Sequence, residues 1–528
     1  MEVELKLLVD PEDAAALQQH RLLKQYATSA PHEQMMSDTY FDTPDLHIRR
    51  CDAVLRVRRV DNNDWVQTMK GADHPHGGLH CRQEWASRVS GPVPNLAVLS
   101  DVVDAKTPWS RLLRSPVVED RLAPIFKTEV KRTVWELRLP QGDEVECILD
   151  QGNVEHDNQT VPISEIELEL KSGDPVHLFD FALALQQDIP LHIGQLSKAD
   201  RGYALLTPPA PLAVKAARLD LSPKMTIDQV FQAIAFNCIT QIQANEAGVA
   251  AQHDVESLHQ MRVGLRRLHS AFTLFRDVLQ PPETLQSELD WLATELGAAR
   301  DWDVLVGATL PSVATVAPDE TGLAELQRLA QVRAQEQHNA AAVAIQSPRY
   351  TRLILNLTRW IQGRGWCDTL TPADQARLTA RIPKFARNML IDNQNRLLKR
   401  ARQLRGANPV ALHRIRIAAK KARYATEFFQ SLYPKKKVRP YVAALSVLQD
   451  EFGWRNDASV AEGLLKQWQE KEQEQGQEQH SQATLASSTG FIRGYLTSQV
   501  QNSEQTMCRL WKKFTRMPLP CQPARRGR

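Results

Sequence analysis

The hexapeptide Glu2-Val-Glu-Leu-Lys-Leu7 decides the fold of the first two hundred residues. Because side chains alternate across a strand, Glu2, Glu4 and Lys6 share one face and the three apolar residues share the other. Taken alone, the hexapeptide is typical of an edge strand with a solvated charged face. The same alternation recurs, however, in three later stretches: 55–58 (LRVR), 80–84 (HCRQE) and 163–170 (ISEIELEL). Acidic and basic strands are separate, which favours a site for a metal cation together with a polyanion.

Alternating stretches predict eight strands in this part of the chain, near 2–8, 38–43, 53–60, 64–70, 80–88, 126–139, 143–150 and 163–171. Eight antiparallel strands are enough to close a barrel, in which every second residue points inward. A soluble barrel that is lined with charged side chains cannot have an ordinary apolar core. The sequence therefore predicts a water-filled tunnel that holds a ligand.

The chain is too long for one hydrophobic core, since 528 residues exceed the size at which chains divide into domains. Its 42% apolar and 24% charged residues are typical of a soluble globular protein. No stretch is as long and apolar as a membrane-spanning helix, and the acidic N-terminus is unlike a signal peptide. The seven cysteines are scattered and lack CxxC spacing, which argues against a disulfide framework or a zinc site. We expect a cytoplasmic protein.

Charge and composition divide the chain near residue 210. Residues 1–210 contain 33 acidic and 22 basic side chains, whereas residues 211–528 contain 29 acidic and 43 basic ones. Four prolines between 207 and 224 indicate a linker, and the pattern beyond it is helical almost throughout, with one predicted helix at 350–362. We predict an α+β multidomain protein: a β tunnel over 1–205, a Pro-rich linker over 206–224, a helical bundle over 225–515 and a basic tail over 516–528.

The helical half contains an internal repeat. The stretch 259–267 (HQMRVGLRR) recurs as 413–421 (HRIRIAAKK), and about 40 residues after each copy 296–301 (LGAARD) matches 452–457 (FGWRND). Two copies of a helical hairpin predict a pseudo-symmetric bundle whose basic helices face each other.

Helix geometry places the basic residues of each copy in one narrow stripe, because residues three and four apart share a face. A solvated basic surface is the plain interpretation, but its repetition in the same phase favours an anion-binding role. We predict binding of polyphosphate-like polyanions that tightens below about pH 6.5, where histidines gain charge. The residues of this predicted polyanion site are His259, Arg262, Arg266, His413, Arg416 and Lys420.

These motifs carry a family resemblance. Residues 1–205 resemble the CYTH domain of triphosphate tunnel enzymes, a group that includes class IV adenylate cyclases and thiamine triphosphatases. The resemblance rests on Glu2-x-Glu4-x-Lys6 and on the later landmarks LRVR (55–58), Lys70, RQE (82–84), DQG (150–152), EIELE (165–169) and SKADR (197–201). Residues 225–515 resemble CHAD, a helical domain named for its conserved histidines, here His259 and His413. The pairing is most similar to bacterial inorganic triphosphatases.

The resemblance implies metal-dependent hydrolysis of inorganic tripolyphosphate to pyrophosphate and phosphate inside the tunnel. The implied phosphate-binding residues are Lys6, Arg56, Arg58, Lys70, Arg82, Arg132 and Lys198. The implied ligands of Mg²⁺ or Mn²⁺ are Glu2, Glu4, Asp150, Glu165, Glu167 and Glu169. Within these sets, the residues implied in catalysis are Glu4, Lys6, Arg58 and Glu167. In the sixth strand Lys131 and Arg132 face opposite ways, and we take Arg132 as the tunnel residue.

Plainer interpretations remain open for several of these residues. Arg82 and Glu84 suit a cross-strand ion pair, Asp150 suits a turn, Glu169 suits a solvated tunnel mouth, and Lys198 and Arg201 suit the surface. The alternative functions are a thiamine triphosphatase, a class IV adenylate cyclase, or a polyphosphate-binding scaffold without catalysis. The expected partners are tripolyphosphate and long-chain polyphosphate, with no membrane and no nucleic acid. We also expect residues 1–210 alone to retain hydrolysis. Substrate preference, oligomeric state and the role of the helical half stay undecided by sequence.

Overall fold

This computed structural model describes residues 2–59, 64–71, 75–207, 213–317, 322–474 and 479–522. The chain forms two compact units. The β unit comprises residues 1–212 and 346–364, and the helical unit comprises residues 213–345 and 365–528. Residue 60 of the third predicted strand, residues 208–212 of the predicted linker and residues 523–528 of the predicted tail lie outside the described residues.

Ten strands of the described β unit form one curled antiparallel sheet: β1 (Glu2–Val9), β2 (His32–Asp42), β3 (Val54–Arg59), β4 (Trp65–Lys70), β5 (Leu79–Arg82), β6 (Glu84–Val89), β7 (Ala123–Arg138), β8 (Glu144–His156), β9 (Gln159–Ser172) and β10 (Leu191–Ile193). The strand order is β10-β1-β9-β8-β7-β2-β3-β4-β6, and β5 pairs with the first half of β1 on the edge that β10 also occupies. Strands β5 and β6 are one run interrupted at Gln83, so this run pairs with β1 at its start and with β4 at its end. The predicted antiparallel β tunnel followed by a helical bundle is thereby confirmed.

Eight short helices accompany the sheet: α1 (Ala14–Gln18), α2 (Arg21–Tyr26), α3 (His47–Arg50), α4 (Leu96–Val102), α5 (Pro108–Leu113), α6 (Pro116–Glu119), α7 (Pro175–Leu185) and α8 (Lys198–Leu206). The later α-helices of the described chain are α9 (Ile227–Gln243), α10 (Glu246–Gln252), α11 (Val255–Phe275), α12 (Glu283–Val304), α13 (Leu310–Val316), α14 (Leu323–Ile345), α15 (Pro348–Gln362), α16 (Pro372–Leu378), α17 (Ile382–Arg400), α18 (Pro409–Phe428), α19 (Lys435–Glu474), α20 (Gln479–Asn502) and α21 (Glu504–Thr515). None of the helices searched in these ranges has the length and apolar character needed to cross a membrane.

The apolar face of β1 explains the core of the β unit. Leu5 and Leu7 are fully buried in a cluster with α7 residues such as Phe179. Leu355 of α15 belongs to the same cluster. Because one face of β1 is fixed in this core, its other face, with Glu2, Glu4 and Lys6, must point away from it.

The helical unit follows the sequence repeat. Helix α11 packs on α9 and α12, and its counterpart α18 packs on α17 and α19. The two basic helices also contact each other, as the repeat predicts. Both begin at side-chain caps: Asp254 accepts a hydrogen bond from the backbone of Ser257, and Asn408 accepts one from the backbone of Ala411.

One segment of the predicted helical domain, residues 346–364, belongs to the compact β unit. The domain boundaries given from sequence stay a prediction. Residues 346–364 pack with the β unit, although they follow α14 of the helical unit in sequence. The reason is the apolar face of α15, which is buried against α7 and β10. Sequence periodicity predicted this helix correctly but assigned it to the bundle.

Candidate functional site

The inward faces of the strands enclose a cavity of about 310 Å³ in the β unit. Of the thirteen tunnel residues predicted from sequence, all except Asp150 and Glu165 line it. Those two are buried in its wall. The full lining is Glu2, Glu4, Lys6, Tyr40, Val54, Arg56, Arg58, Lys70, Arg82, Glu84, Arg132, Glu167, Glu169, Ser197, Lys198 and Ala199.

Two buried lysines bind the acidic side chains at one end of the cavity. Lys198 Nζ lies 2.6 Å from Asp150 Oδ2, 2.6 Å from Glu165 Oε1 and 3.0 Å from Glu167 Oε1. Lys6 Nζ lies 3.1 Å from Glu165 Oε1 and also donates to Glu167. Lys198 was open to a surface role from sequence, but it is buried at the start of α8.

Strand register brings this group together. Arg132 pairs with Asp150 across β7 and β8, Asp150 pairs with Glu165 across β8 and β9, and Lys6 pairs with Glu167 across β1 and β9. Arg132 holds Asp150 through two bonds, Nε–Oδ1 at 2.8 Å and Nη2–Oδ2 at 2.6 Å. Asp150 is thus a strand residue that accepts from a tunnel arginine, and its place is not in a turn.

The choice between Lys131 and Arg132 is resolved by geometry. Arg132 lines the cavity, whereas the Lys131 side chain is 47% exposed and pairs with Glu33 at 2.9 Å. Because successive residues of a strand point to opposite faces, only one of them can enter the cavity.

Asp38 of β2 is a site residue that the sequence interpretation missed. Its carboxylate is buried, and it accepts from Arg58 Nε at 2.7 Å, from Arg58 Nη2 at 2.8 Å and from Arg56 Nη1 at 3.2 Å. Asp38 lies directly opposite Arg58 in the β2–β3 register. The signal in the sequence is one of the two acids, Asp38 and Asp42, in the predicted strand 38–43, and only the pairing register identifies its partner.

Arg201 was also assigned to the surface by default. Instead, its Nη2 donates to Glu165 Oε2 at 2.6 Å. The side chain stands one turn after Lys198 on α8, so both cations of this helix reach the same buried carboxylate.

A second network occupies the other end of the cavity. Arg82 donates from Nε to Glu2 at 3.1 Å and from Nη2 to Glu4 at 2.6 Å. Lys70 lies 2.9 Å from Glu2 and 2.9 Å from Glu84. Glu169 lines the cavity beside Glu4 in register and pairs with Lys171 at 2.8 Å.

The electrostatic balance differs between the two ends. Burial alone would lower the pKa of Lys198, but the carboxylates around it outweigh burial and hold that pKa well above its ordinary value. Burial likewise opposes ionisation of Glu165, yet Lys198 and Lys6 lower its pKa to about 2. At the opposite end, the pKa of Lys70 is lowered by burial and by the charge of Arg82. At this end, Glu2 and Glu84 do not outweigh the effect of burial on the pKa of Lys70.

Three buried carboxylates fit a divalent cation. Asp150, Glu165 and Glu167 each have a carboxylate oxygen within 4.8 Å of the others. Among the described residues, they are the group of three His, Cys, Asp or Glu side chains that are close enough to share a metal ion. Carboxylate oxygens are the donors that Mg²⁺ and Mn²⁺ prefer. The other predicted ligands, Glu2, Glu4 and Glu169, line the cavity outside this group.

The helical unit contains a second candidate site, the cationic cluster Arg262, Arg266, Arg416 and Lys420 of α11 and α18. Burial lowers the pKa of Lys420 to about 7, with Arg416 and Arg266 lowering it further. Burial and the Arg266 charge also lower the pKa of Arg262 to about 10. The Nε atoms of all three arginines are buried and lack a hydrogen-bond partner in the described part of the chain.

The two predicted histidines lie in different surroundings. Burial and nearby arginines, first among them Arg300, lower the pKa of His259 to about 4. The prediction that His259 gains charge below pH 6.5 is therefore wrong, because it is surrounded by cations. His413 is exposed and lines a separate cavity of about 280 Å³ together with Arg416.

Comparison with known proteins finds a family model for each half of the chain. Residues 1–203 match the family model of the CYTH domain, and residues 233–466 match that of the CHAD domain. An inorganic triphosphatase of Haemophilus influenzae is 32% identical over 209 residues, which are 39% of this chain and 54% of that protein. The chain thus matches about half the length of this curated relative.

The helical half also matches a solved structure. The crystal structure of the CHAD domain from the plant Ricinus communis is 38% identical to this chain, with a TM-score of 0.52. The match covers 58% of this chain and 98% of the plant domain.

Proposed function

This chain carries a CYTH domain followed by a CHAD domain, and on that premise we propose that its β unit is an inorganic triphosphatase. The reaction is hydrolysis of tripolyphosphate to pyrophosphate and phosphate, and it depends on Mg²⁺ or Mn²⁺. The observation that carries the proposal is the cavity lining, in which twelve of the sixteen residues are charged. The triphosphatase relative supports the same substrate class.

The cations of the cavity match the substrate. Tripolyphosphate carries several negative charges and no apolar group. Seven cationic side chains surround the space, and burial and the charge of Arg82 lower the pKa of Lys70, an effect that a bound phosphate would oppose. Arginine suits two-point contacts with phosphate oxygens, whereas lysine acts as a point charge. The cationic lining is Lys6, Arg56, Arg58, Lys70, Arg82, Arg132 and Lys198.

The metal site of this proposal uses the buried carboxylates Asp150, Glu165 and Glu167, with Glu2, Glu4 and Glu169 at the cavity wall. A divalent cation bound there would polarise a phosphoryl oxygen and lower the pKa of a bound water. The oxygens of the buried group already accept from Lys6, Lys198 and Arg132. Lys198 and Lys6 outweigh burial and lower the pKa of Glu165 and Glu167, which keeps both in the ionised form that a metal requires.

The residues of the chain supply orientation and charge stabilisation. Asp38 holds Arg58 through Nε and Nη2, which leaves Nη1 for a phosphoryl oxygen. Arg132 is held by Asp150 in the same two-point way. Guanidinium groups fixed before substrate arrives stabilise developing charge without reorganising. Glu167 has a pKa well below its ordinary value because Lys198 and Lys6 outweigh its burial, so it orients the attacking water and is a weak proton acceptor.

The lining also bears on the alternative substrates. ATP and thiamine triphosphate each carry an aromatic group that needs an apolar or stacking surface. Among the described residues of the cavity, the uncharged ones are Tyr40, Val54, Ser197 and Ala199. Tyr40 stacks on Phe126 at 4.5 Å between ring centroids, so its ring is already occupied on that side. No observation favours a cyclase or a thiamine triphosphatase over hydrolysis of the inorganic substrate.

We further propose that the helical unit binds polyphosphate-like polyanions at the cationic cluster. Lys420 supports this role because burial and the charges of Arg416 and Arg266 lower its pKa, and the opposing charge of Asp457 does not restore it. Asp301, Asp303 and Asp457 are acids that act on the cluster, and Asp457 lies 4.0 Å from Arg416. A polyanion would supply the missing negative charge, with a steep salt dependence.

Phosphate release by the full-length protein tests the first proposal. We expect tripolyphosphate to be hydrolysed with a kcat/KM at least tenfold above that for ATP, thiamine triphosphate or long-chain polyphosphate. Faster hydrolysis of ATP or thiamine triphosphate would overturn the substrate assignment. No hydrolysis of any triphosphate with Mg²⁺ or Mn²⁺ present would overturn the enzyme assignment.

A neutralising double variant tests the second proposal. Arg266→Gln with Lys420→Gln should weaken long-chain polyphosphate binding at least tenfold while tripolyphosphate hydrolysis is unchanged. Neutralisation is preferable to charge reversal because these side chains are half-buried. The matched control, Lys435→Gln with Lys436→Gln, removes two exposed charges and should bind normally. Equal binding by both double variants would contradict the assignment.

A further inference from the structure

Helix α15 is a part of the β unit that the function proposed above does not use. Ser347 caps its start by accepting from the backbone of Tyr350 at 3.2 Å, and Pro348 occupies the first position. Gln186 Nε2 donates to the Pro348 carbonyl at 2.9 Å, and Arg359 Nε lies 2.5 Å from Asp180 Oδ1. The helix is therefore tied to α7 at both ends and contributes Leu355 to the core beneath β1.

A glycine turn lies between α15 and β1. Residues His76 and Leu79 pair with each other around Gly77 and Gly78, whose φ angles are +61° and +83°. These positive values are those of a type I′ hairpin turn, which non-glycine residues adopt with strain. The turn therefore has a fixed shape, and β5 begins where it ends.

Both sides of this turn are in tight contact. A Cβ placed on Gly77 would lie 2.0 Å from Thr358 Oγ1, so the α15 side chain meets the turn backbone directly. On the opposite side, the carbonyl of Gly78 accepts from the backbone nitrogen of Lys6 at 2.9 Å. A Cβ on Gly78 would lie 2.9 Å from the Lys6 carbonyl. There is no space for the turn to move toward either neighbour.

The turn is connected to the cavity through β5 and β1. Strand β5 leaves the turn and pairs with β1, with His80 opposite Glu4 and Arg82 opposite Glu2. Lys6 itself sits in the buried carboxylate group described above. The position of the glycine turn thus determines where Lys6 and Arg82 stand in the cavity.

We propose that Thr358 of α15 is a positioning residue for the triphosphate cavity, acting through the glycine turn on Lys6 and Arg82. The catalytic effect rests on the proposed function, whereas the structural effect on β1 and β5 does not. Thr358 acts by shape, because its Oγ1 is buried without a hydrogen-bond partner among the described residues. The helix that supplies it lies within the sequence matched by the CHAD domain.

Three variants of the full-length protein test the proposal. Thr358→Leu adds bulk against Gly77 and should displace the turn. Thr358→Val keeps the shape and removes only the unpartnered hydroxyl, so it should behave like the parent protein. Thr351→Leu makes the same enlargement at another buried position on the same helix face, about 10 Å from Thr358 along the axis.

Amide hydrogen exchange and steady-state kinetics give two independent measurements. Thr358→Leu should accelerate exchange in peptides that cover Leu5–Leu8 and Gly77–Arg82, and Thr351→Leu should not. Thr358→Leu should also lower kcat for tripolyphosphate about tenfold to a hundredfold, the cost of misplacing groups by roughly 1 Å, with a smaller change in KM. Identical exchange and kcat in the two leucine variants would overturn the proposal. If the parent protein hydrolyses no triphosphate, the proposed function fails and the exchange result still decides this inference.

A second pair of variants guards against misfolding of Thr358→Leu. Gly77→Ala adds a methyl group to the turn side of the same contact with Thr358. It should therefore accelerate exchange in the same peptides as Thr358→Leu. Gly142→Ala is the matched control, since its φ of +97° imposes backbone strain but an added Cβ there meets nothing within 4 Å. An effect of Gly142→Ala on the β1 and β5 peptides equal to that of Gly77→Ala would also overturn the proposal.

Discussion

Replacing Asp38 by asparagine tests whether the cavity arginines are held in place before substrate binds. The change keeps the side-chain volume but removes the charge that binds Arg56 and Arg58. An asparagine also turns one acceptor oxygen into an NH₂ group that faces guanidinium donors. We expect a folded protein with lower stability and with Arg58 poorly aligned.

The magnitude follows from the burial of the contact. Asp38 is 2% exposed and accepts three charge-assisted hydrogen bonds. Breaking a buried ion pair by removing one partner costs about 3–5 kcal/mol. Because Arg56 and Arg58 border the cavity and retain some contact with water, we take about 3 kcal/mol. For a unit of this size, that loss lowers Tm by about 6–12 °C.

The kinetic effect should separate kcat from KM. Misalignment of Arg58 should lower kcat about tenfold to a hundredfold, less than complete removal of a charge-stabilising donor. KM for tripolyphosphate should stay equal or fall, because the variant has one negative charge fewer in the cavity wall. A matched control is Asp42→Asn, since Asp42 is buried on the same strand but accepts from the Tyr203 hydroxyl and from backbone nitrogens instead of cavity arginines. The control should lose stability and keep kcat.

The pH dependence gives an independent check. Burial opposes ionisation of Asp38, but Arg58 and Arg56 hold its pKa well below the ordinary value. A depressed carboxylate pKa stabilises the folded state above the unfolded pKa of about 4 and loses that effect as pH falls. The stability difference between parent and Asp38→Asn should therefore be constant from pH 8 to 5 and shrink below about pH 4. A variant with parental Tm and kcat would refute the positioning role of Asp38.

Further measurements test the metal, the phosphate contacts and the helical unit. Excess EDTA should abolish hydrolysis, and added Mg²⁺ or Mn²⁺ should restore it; full turnover without metal would contradict the carboxylate assignment. Arg58→Ala should lower kcat about 10²-fold to 10³-fold, whereas Lys70→Ala should mainly raise KM; a pure KM effect at Arg58 would place it on a remote phosphate. Polyphosphate binding should tighten as pH falls from 8 to 6, because Lys420 with its pKa of about 7 gains charge there. Lys420→Met should flatten that dependence and His259→Gln should not; the reverse result would restore the histidine interpretation.

Alternation along strands was enough to predict most of the candidate site. The period of two is fixed by backbone geometry, so Glu2, Glu4 and Lys6 had to share a face once one strand face was apolar. The prediction failed where it needed the pairing of distant strands. Asp38 became a partner of Arg58 only through the β2–β3 register, which no local pattern encodes.

Helix periodicity has a similar limit. The amphipathic pattern of α15 predicted a helix with one buried face, but a pattern does not state which core buries that face. In the structure this face packs on α7 and β10, and Leu355 belongs to the buried cluster that also contains Leu5 and Leu7. The position of α15 also argues against the expectation that residues 1–210 alone retain hydrolysis. Such a fragment lacks α15 and therefore lacks Leu355 of the buried core. Removing Leu355 leaves a cavity beside β1 and typically costs about 2–5 kcal/mol.

The two candidate sites differ in how their cations are balanced, and this difference separates their proposed roles. In the β unit, carboxylates surround Lys198 and raise its pKa, so the charges are fixed in position before any ligand arrives. In the helical unit, burial and the neighbouring Arg416 and Arg266 lower the pKa of Lys420, so a bound anion would favour its charged form. A reaction needs prearranged groups that do not reorganise at the transition state. A polyanion receptor needs only unbalanced positive charge, which makes its affinity depend on pH and salt in a way that the β unit should not share.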